Sequence, residues 1–412
     1  MILHVTGDFP DPIAADKTEV IRRLLDLTSD RFDHRVISIN RTGPTAGGAA
    51  GVIASQLVPR RISFDYGEAW EYTAPPLGIL HHTMLRKLGA HLLAEIEAFR
   101  PGQLWAHKLT IEGLAVAHAA RKSQLPYGIT IQGNTDLKIL LARPDLRREF
   151  ARIFHEAAAV VSFAPWSLER VENLLGIRSS DVRIIPCPTD LDTARASASP
   201  GSGLVTMFHL ANARGKNLAG IAGASRLLAV DDKAHTIAVI GGGSDKDLAS
   251  ALKETRGATN ITFEGALSRK EVADRLNRAS AFVMPSKRET FGLSFIEALF
   301  AGLPIIYPKG AAIDGFFDEH PFAIGVDPRD CTAIAHAMDH VLEQETALKQ
   351  KVAKWQASAH ARQFTRPEIA TQFASVLDRA LNAQYPFSQS AREAHTSAQT
   401  SRSSAAPTRE AR

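Results

Sequence analysis

Ser286–Tyr307 reads SKRETFGLSFIEALFAGLPIIY. Just before it, Ala281–Met284 is a short apolar run of the kind buried inside a sheet covered on both faces. Pro285–Gly292 is then the loop leaving the carboxyl end of that strand, and the apolar spacing that follows predicts a helix from about Leu293. Gly302 stands where helices end in a left-handed residue, and Pro304 lies just beyond it. The loop carries Glu289 and the helix carries Glu297. Amide groups near Phe291, Gly292 and Leu293, backed by the helix dipole, suit an anionic diphosphate. A carboxylate accepts paired hydrogen bonds, which suits the vicinal hydroxyls of a sugar or a ribose. The bare E-x7-E spacing carries little by itself in a chain with 21 glutamates; the strand, loop and helix around it carry the reading.

The same strand–helix alternation extends outward in both directions. Ile2–Thr6, Arg35–Ile39, Gln103–Ala106, Tyr127–Ile131, Ala159–Ser162 and Val182–Ile185 read as strands. Between them Lys17–Leu27, Met84–Phe99, Ile111–Lys122, Leu146–Ala157 and Trp166–Leu175 carry helical apolar spacing. The pattern pauses at Thr193–Gly203 (TARASASPGSG), which reads as a linker. It restarts with strands at Leu204–Leu210, Thr236–Ile240, Asn260–Phe263, Ala281–Met284 and Pro304–Tyr307 and a helix near Thr332–Leu342. A last helix, Pro367–Leu381, opens with proline in its first turn. Alternation of this kind implies an α/β protein with parallel sheets, here two doubly wound domains facing a cleft in which ligands sit at the carboxyl ends of strands. The expected division is residues 1–200, residues 201–366, a terminal helix at 367–385 returning to the first domain, and a disordered tail at 386–412.

Length and composition agree. At 412 residues, 45% hydrophobic and 22% charged, the chain is long enough for two cores. The formal charge of +4 is far from the dense basic surface of a nucleic-acid binder, and residues 386–412 alone hold four arginines against two glutamates. Two cysteines, Cys187 and Cys331, make neither a disulfide framework nor a zinc site, so a reducing, cytoplasmic setting is expected. No run approaches the roughly 18 apolar residues of a membrane span. Leu80–Leu93 (LHHTMLRKLGAHLL), with Arg86 and Lys87, reads first as an amphipathic helix packing on a sheet and second as a helix contacting the inner face of a membrane. Gly43–Gly51 lacks the Gly-Lys-Ser/Thr of a P-loop and reads as a flexible loop near the cleft.

The central segment resembles glycosyltransferase family 4, the retaining glycosyltransferases of the GT-B fold. Glu289, Phe291, Gly292, Glu297, Ala298, Ala301, Gly302 and Pro304 all fall in the register of that family's signature. More weakly, Val182–Asp190 (VRIIPCPTD) resembles the segment closing the family's first domain, and Gly241–Gly243 its donor-side glycine loop, which is equally a plain turn. Phe208–Asn217 (FHLANARGKN) resembles the first strand and loop of the donor domain.

The resemblance implies two Rossmann-like domains and transfer of a hexosyl unit from a nucleotide sugar to a saccharide or lipid-linked acceptor, in polysaccharide or glycolipid synthesis. It assigns Glu289 to the transferred sugar and Glu297 to the ribose, and Lys216, with Arg214 near it, to the diphosphate. It implies no cofactor and no metal. The chain departs from the family pattern in three places. The family's arginine upstream of the lysine is absent, since Leu210 and Ala211 stand there, and Arg214 is the nearby substitute. Beyond Gly7 the loop after the first strand lacks further glycine; it reads Asp11-Pro12-Ile13-Ala14-Ala15-Asp16-Lys17, with Lys17 first a surface lysine at a helix start and second a donor contact. Relatives often carry His-Gly where this chain has Gln132-Gly133-Asn134, and glutamine hydrogen-bonds a sugar hydroxyl but transfers no proton near neutral pH. A nucleotide-sugar 2-epimerase and a non-catalytic sugar-nucleotide binder are the rival readings.

Overall fold

In the computed structural model, the described residues are 1–43, 58–74, 81–180, 182–196, 198–230 and 235–383. The expectations for Gly43–Gly51 beyond its first residue, and for the tail at 386–412, lie outside them.

The first sheet is built from β1 (Ile2–Thr6), β2 (His34–Thr42), β3 (Arg60–Phe64), β4 (Gly67–Thr73), β5 (Gln103–Ala106), β6 (Tyr127–Ile131), β7 (Ala159–Ser162) and β8 (Val182–Ile184). The second is built from β9 (Leu204–Met207), β10 (Ile237–Ile240), β11 (Ile261–Gly265), β12 (Ala281–Val283), β13 (Ile305–Pro308) and β14 (Ala323–Val326). Their spatial orders are β3-β4-β2-β1-β5-β6-β7-β8 and β11-β10-β9-β12-β13-β14. Every pairing is parallel except β3 with β4. In each sheet the order reverses beside the first strand, at β1/β5 and at β9/β12, the place where doubly wound sheets open a crevice.

The strands β1, β5, β6 and β10 are buried along their whole length, which is why they are mostly apolar and show no in–out alternation. On the first sheet pack α1 (Val20–Asp26), α2 (His81–Phe99), α3 (Glu112–Ser123), α4 (Asn134–Ala142), α5 (Arg147–Glu156) and α6 (Pro165–Leu175). The second is flanked by α7 (Leu218–Val230), α8 (Asp245–Glu254), α9 (Arg269–Asn277), α10 (Leu293–Phe300), α11 (Cys331–Glu343), α12 (Glu345–Gln356) and α13 (Ala359–Arg362). The final helix, α14 (Arg366–Leu381), crosses back to β6, β7 and α1, where the Phe373 ring meets Trp105 edge-on at 5.7 Å.

Several features escape local pattern reading: the β3–β4 hairpin, β14, α4, α12 and α13 are not among the expected elements. The helix expected from Lys17 begins at Val20, because the preceding residues form a compact loop around Asp11. The helix α2 turns Met84, Leu85, Leu88 and Leu92 into the core, and Arg86 is paired with Glu149. Its apolar face is therefore used inside the protein, as the first of the two readings has it. No helix among the described residues is long and apolar enough to cross a membrane.

Candidate active site

The two crevices face one another. Between them lies a cavity of about 340 Å³ whose wall includes Asp8 and Gln132 from the first sheet and Lys216, Glu289 and the start of α10 from the second. Asp8 follows β1, Gln132 follows β6, Lys216 lies on the β9–α7 loop and Glu289 on the β12–α10 loop. The switch points of both sheets thus open on one space.

Lys216 reaches Glu289 because the two loops are joined by their backbones: the Lys287 amide donates to the Gly215 carbonyl at 2.9 Å. Asn217 follows in the left-handed conformation, φ 63°, which asparagine tolerates, and its side-chain amide donates to the Pro328 carbonyl at 2.7 Å. From that turn the Lys216 ammonium donates to the Glu289 carboxylate.

Gly292 is the residue before α10, with φ 77°. A side chain there would meet the Phe295 ring at 2.7 Å and Glu289 Cγ at 3.1 Å, so the position demands glycine on both counts. The amides of Leu293 and Ser294 in the first turn have no intrahelical acceptor and stand at the cavity wall, with the positive end of the helix dipole. The helix closes as its sequence predicts: Gly302 is left-handed at φ 91°, the Gly302 amide donates to Leu299 and the Leu303 amide to Ala298, both at 3.0 Å.

Glu297 does not line the Glu289 cavity. It is one turn further along the same face of α10 as Leu293, and opens on a smaller adjoining cavity of about 120 Å³ beside Asp190, Thr193 and Phe300. Burial pushes its carboxyl above the usual range, opposed by the Thr189 hydroxyl, which donates to it at 2.6 Å. The outer face of α10 therefore connects a carboxylate at one end of the cleft with a second, buried carboxylate at the other.

Three of the expected residues are placed elsewhere. Arg214 is exposed and lines neither of these cavities. Gly241 and Gly243 do not line them either; they let the β10 loop press on the β9 loop, where a side chain at Gly241 would stand 1.8 Å from the Phe208 carbonyl oxygen and one at Gly243 2.9 Å from Leu210. The glycines have a packing reason of their own. Lys17 is neither a surface lysine nor part of the cavity wall. It donates to Asp11 at 2.7 Å and to Ser38 at 3.0 Å. Burial alone would raise the Asp11 carboxyl, but Lys17, Ser38, Asn40 and the Ala14 amide outweigh that and hold it at about 2. The loop that lacks glycines is thus held in shape by a side chain instead.

Several residues of the cavity carry no signal in the sequence. Asp8 pairs with Lys108 at 2.5 Å, and Lys108 lies 3.9 Å from the buried Glu112, which accepts the Gly7 amide. Burial disfavours the charge on Lys108, yet Glu112 and Asp8 outweigh it and hold its pKa above the ordinary value. Burial pushes Glu112 up to about 7. Cys187 also lines the cavity; burial first, and then Glu289, hold its thiol well above the usual range, so it is protonated and not a nucleophile. Asp8 meets Lys108 and Glu112 through the register of β1 with β5, which sets Val5 beside Ala106, and no local motif encodes that pairing. Among the described residues no group of three or more His, Cys, Asp or Glu side chains is arranged to hold a metal ion.

Contacts across the cleft hold the halves together. Asn134 donates to the Thr290 hydroxyl at 3.2 Å, and the Trp166 indole donates to the Ala312 carbonyl at 2.7 Å. Asp190 pairs with Arg23 of α1 at 2.9 Å and with Arg269 of α9 at 2.7 Å.

Residues 201–361, the second sheet and its helices, match the family model described as Glycosyl transferases group 1. A 127-residue stretch is 31% identical to 2-deoxystreptamine N-acetyl-D-glucosaminyltransferase of Niallia circulans, covering 30% of each protein, so the match spans under a third of that relative. Over 277 residues the chain is 24% identical to 2-deoxystreptamine glucosyltransferase of Streptomyces kanamyceticus, covering 60% of this chain and 68% of that one. Sucrose-phosphate synthase from Thermosynechococcus elongatus superposes with a TM-score of 0.66 at 17% identity, over 92% of this chain and 98% of that structure. The fold is GT-B: two Rossmann-like units with a cleft between them.

Proposed function

We propose that this chain, whose residues 201–361 match Glycosyl transferases group 1, is a retaining glycosyltransferase that moves a hexosyl unit from a nucleotide sugar to a saccharide acceptor. The observation that carries the reading is the Lys216–Glu289 ion pair beside the open amides of α10, at the switch point of one sheet and facing that of the other. Breaking the glycosidic bond builds negative charge on the leaving diphosphate. Lys216 and the Leu293 and Ser294 amides are fixed where they stabilise that charge without reorganising. A bound diphosphate competes for the Lys216 ammonium, which frees the Glu289 carboxylate to accept two hydrogen bonds from sugar hydroxyls. Glu297, further along the same face of α10, is the ribose carboxylate in this reading. Gln132 contacts the transferred sugar through its amide and takes no part in proton transfer. The leaving phosphate receives the acceptor proton on the face from which it departs, which retains the anomeric configuration.

The test is a thermal-shift screen over UDP-, GDP- and ADP-sugars followed by transfer assays with the best binder. The reading expects one nucleotide class to raise the melting temperature, and Glu289→Gln to abolish transfer while the melting temperature without ligand is kept. Wild-type turnover in that variant removes the assignment. An epimerised donor formed without acceptor points to the epimerase instead.

A further inference from the structure

Beside the Glu289 cavity lies a second and larger one, of about 610 Å³. Its walls come from the carboxyl ends of β12, β13 and β14 and, across the cleft, from α4 and α6. Five cationic side chains converge on it: Arg170, Lys287, Arg288, Lys309 and Arg329. Among the described residues none of the five has a carboxylate partner, and the one acid in the wall, Asp327, accepts the Arg329 amide at 2.9 Å. Five like charges around one space repel each other, and among the described residues Asp327 is the one acid in the wall to offset them. The wall also contains Ser286, 1% exposed, whose hydroxyl has no hydrogen-bond partner. A buried hydroxyl left unpaired is disfavoured, and here it stands at a cationic cavity.

We propose that this cavity binds the phosphate ester of a phosphorylated sugar acceptor. A phosphomonoester carries between one and two negative charges near neutral pH, and its three terminal oxygens accept bonds from guanidinium, ammonium and hydroxyl donors together. A carboxylate brings a single charge and leaves most of the cations uncompensated. The volume suits a hexose phosphate. The phosphate is not the donor's, because Lys216 and the α10 amides occupy the other cavity, and the Asn134–Thr290 contact lies between the two spaces. An acceptor held here lies next to Thr290 and Glu289, where its sugar hydroxyl reaches the transferred unit. This inference rests on the donor assignment made above for the neighbouring cavity.

Calorimetric titration of the full chain with glucose 6-phosphate and with glucose tests it, each repeated with saturating UDP, GDP or ADP. The inference expects glucose 6-phosphate to bind at least ~10-fold more tightly than glucose. It expects that preference to vanish in the Lys309→Glu, Arg329→Glu double variant, whose melting temperature and nucleotide affinity match the wild type. Nucleotide must leave the sugar phosphate bound. Equal binding of the two sugars, or no binding of either, overturns the inference. So does competition by nucleotide, or loss of nucleotide affinity in the double variant, since the cavity then belongs to the donor. Failure of the donor assignment appears separately, as the absence of any nucleotide binding.

Discussion

Lys216 and Glu289, 73 positions apart, form an ion pair on the second-sheet side of the interdomain cavity. The two side chains are 21% and 13% exposed, part-buried in the cavity wall, so both charges face the space a ligand would occupy. Lys216→Met is expected to lower turnover by about 100-fold or more, as removal of a fixed transition-state donor does. Stability should fall by about 1–3 kcal/mol, because the part-buried Glu289 carboxylate loses its cation. Combined with Glu289→Gln, the loss should be smaller than the product of the single losses, because the two groups act on one leaving group and sugar. Steady-state kinetics with thermal melts check this; strict multiplicativity would separate the two roles.

Gly292→Ala should be costly at a single methyl group. The residue has φ 77°, and the added carbon meets the Phe295 ring at 2.7 Å. Strain of about 1–3 kcal/mol is expected, and the turn that aims the α10 amides must shift. Urea unfolding and donor affinity both report on it. An unchanged midpoint means that the loop relaxes freely.

The Thr189–Glu297 bond of 2.6 Å is the single hydroxyl contact described for a carboxylate that burial already pushes upward. Thr189→Val removes the donor without changing the shape. The expected result is a loss of about 1–3 kcal/mol in stability and a higher KM for the donor with kcat little changed. A fall in kcat alone would place Glu297 at the reacting centre rather than at the ribose.

A chain of imidazoles gives the protein a pH dependence of its own. His4 bonds His107 at 3.1 Å and His34 at 2.9 Å, and His34 meets the Thr28 hydroxyl at 3.0 Å. Burial lowers His107 to about 3 and His34 to about 4, and lowers His4 well below its ordinary value. Below the ordinary imidazole value of 6.5 the unfolded chain takes up protons that the folded protein refuses, so these groups make stability fall as pH drops from 6.5 toward 4. Glu112, raised to about 7, works in the opposite sense: the folded state holds its proton longer, and stability falls as pH rises from 4.5 to 7. The discriminating measurement is the difference between two curves. Melting temperatures of wild type and His34→Asn between pH 4.5 and 8 should converge as pH falls. Parallel curves would remove His34 from the account.

The sequence by itself determined the strands that are fully buried, the helix behind Glu289, its glycine start and its glycine stop, because each depends on residues within a few positions of one another. It also identified Lys216, Glu289, Phe291, Gly292, Leu293 and Gln132, all of which line one cavity. The β3–β4 hairpin was not legible: RRISF and GEAWEYT are broken by charges, β3 is an edge strand, and the pairing of β4 with β2 organises them. Lys17 read as a surface residue because its partner Asp11 is brought to it by a loop folded against Ser38 and Asn40. Lys108 and Glu112 are four residues apart, but Asp8 had no signature beside them because parallel register brings it there. The separation of Glu289 and Glu297 into different cavities, and the convergence of five cations on a third, likewise came from long-range packing alone. Local preference specifies an element; which elements close on each other, and so which charges share a cavity, is a property of long-range packing.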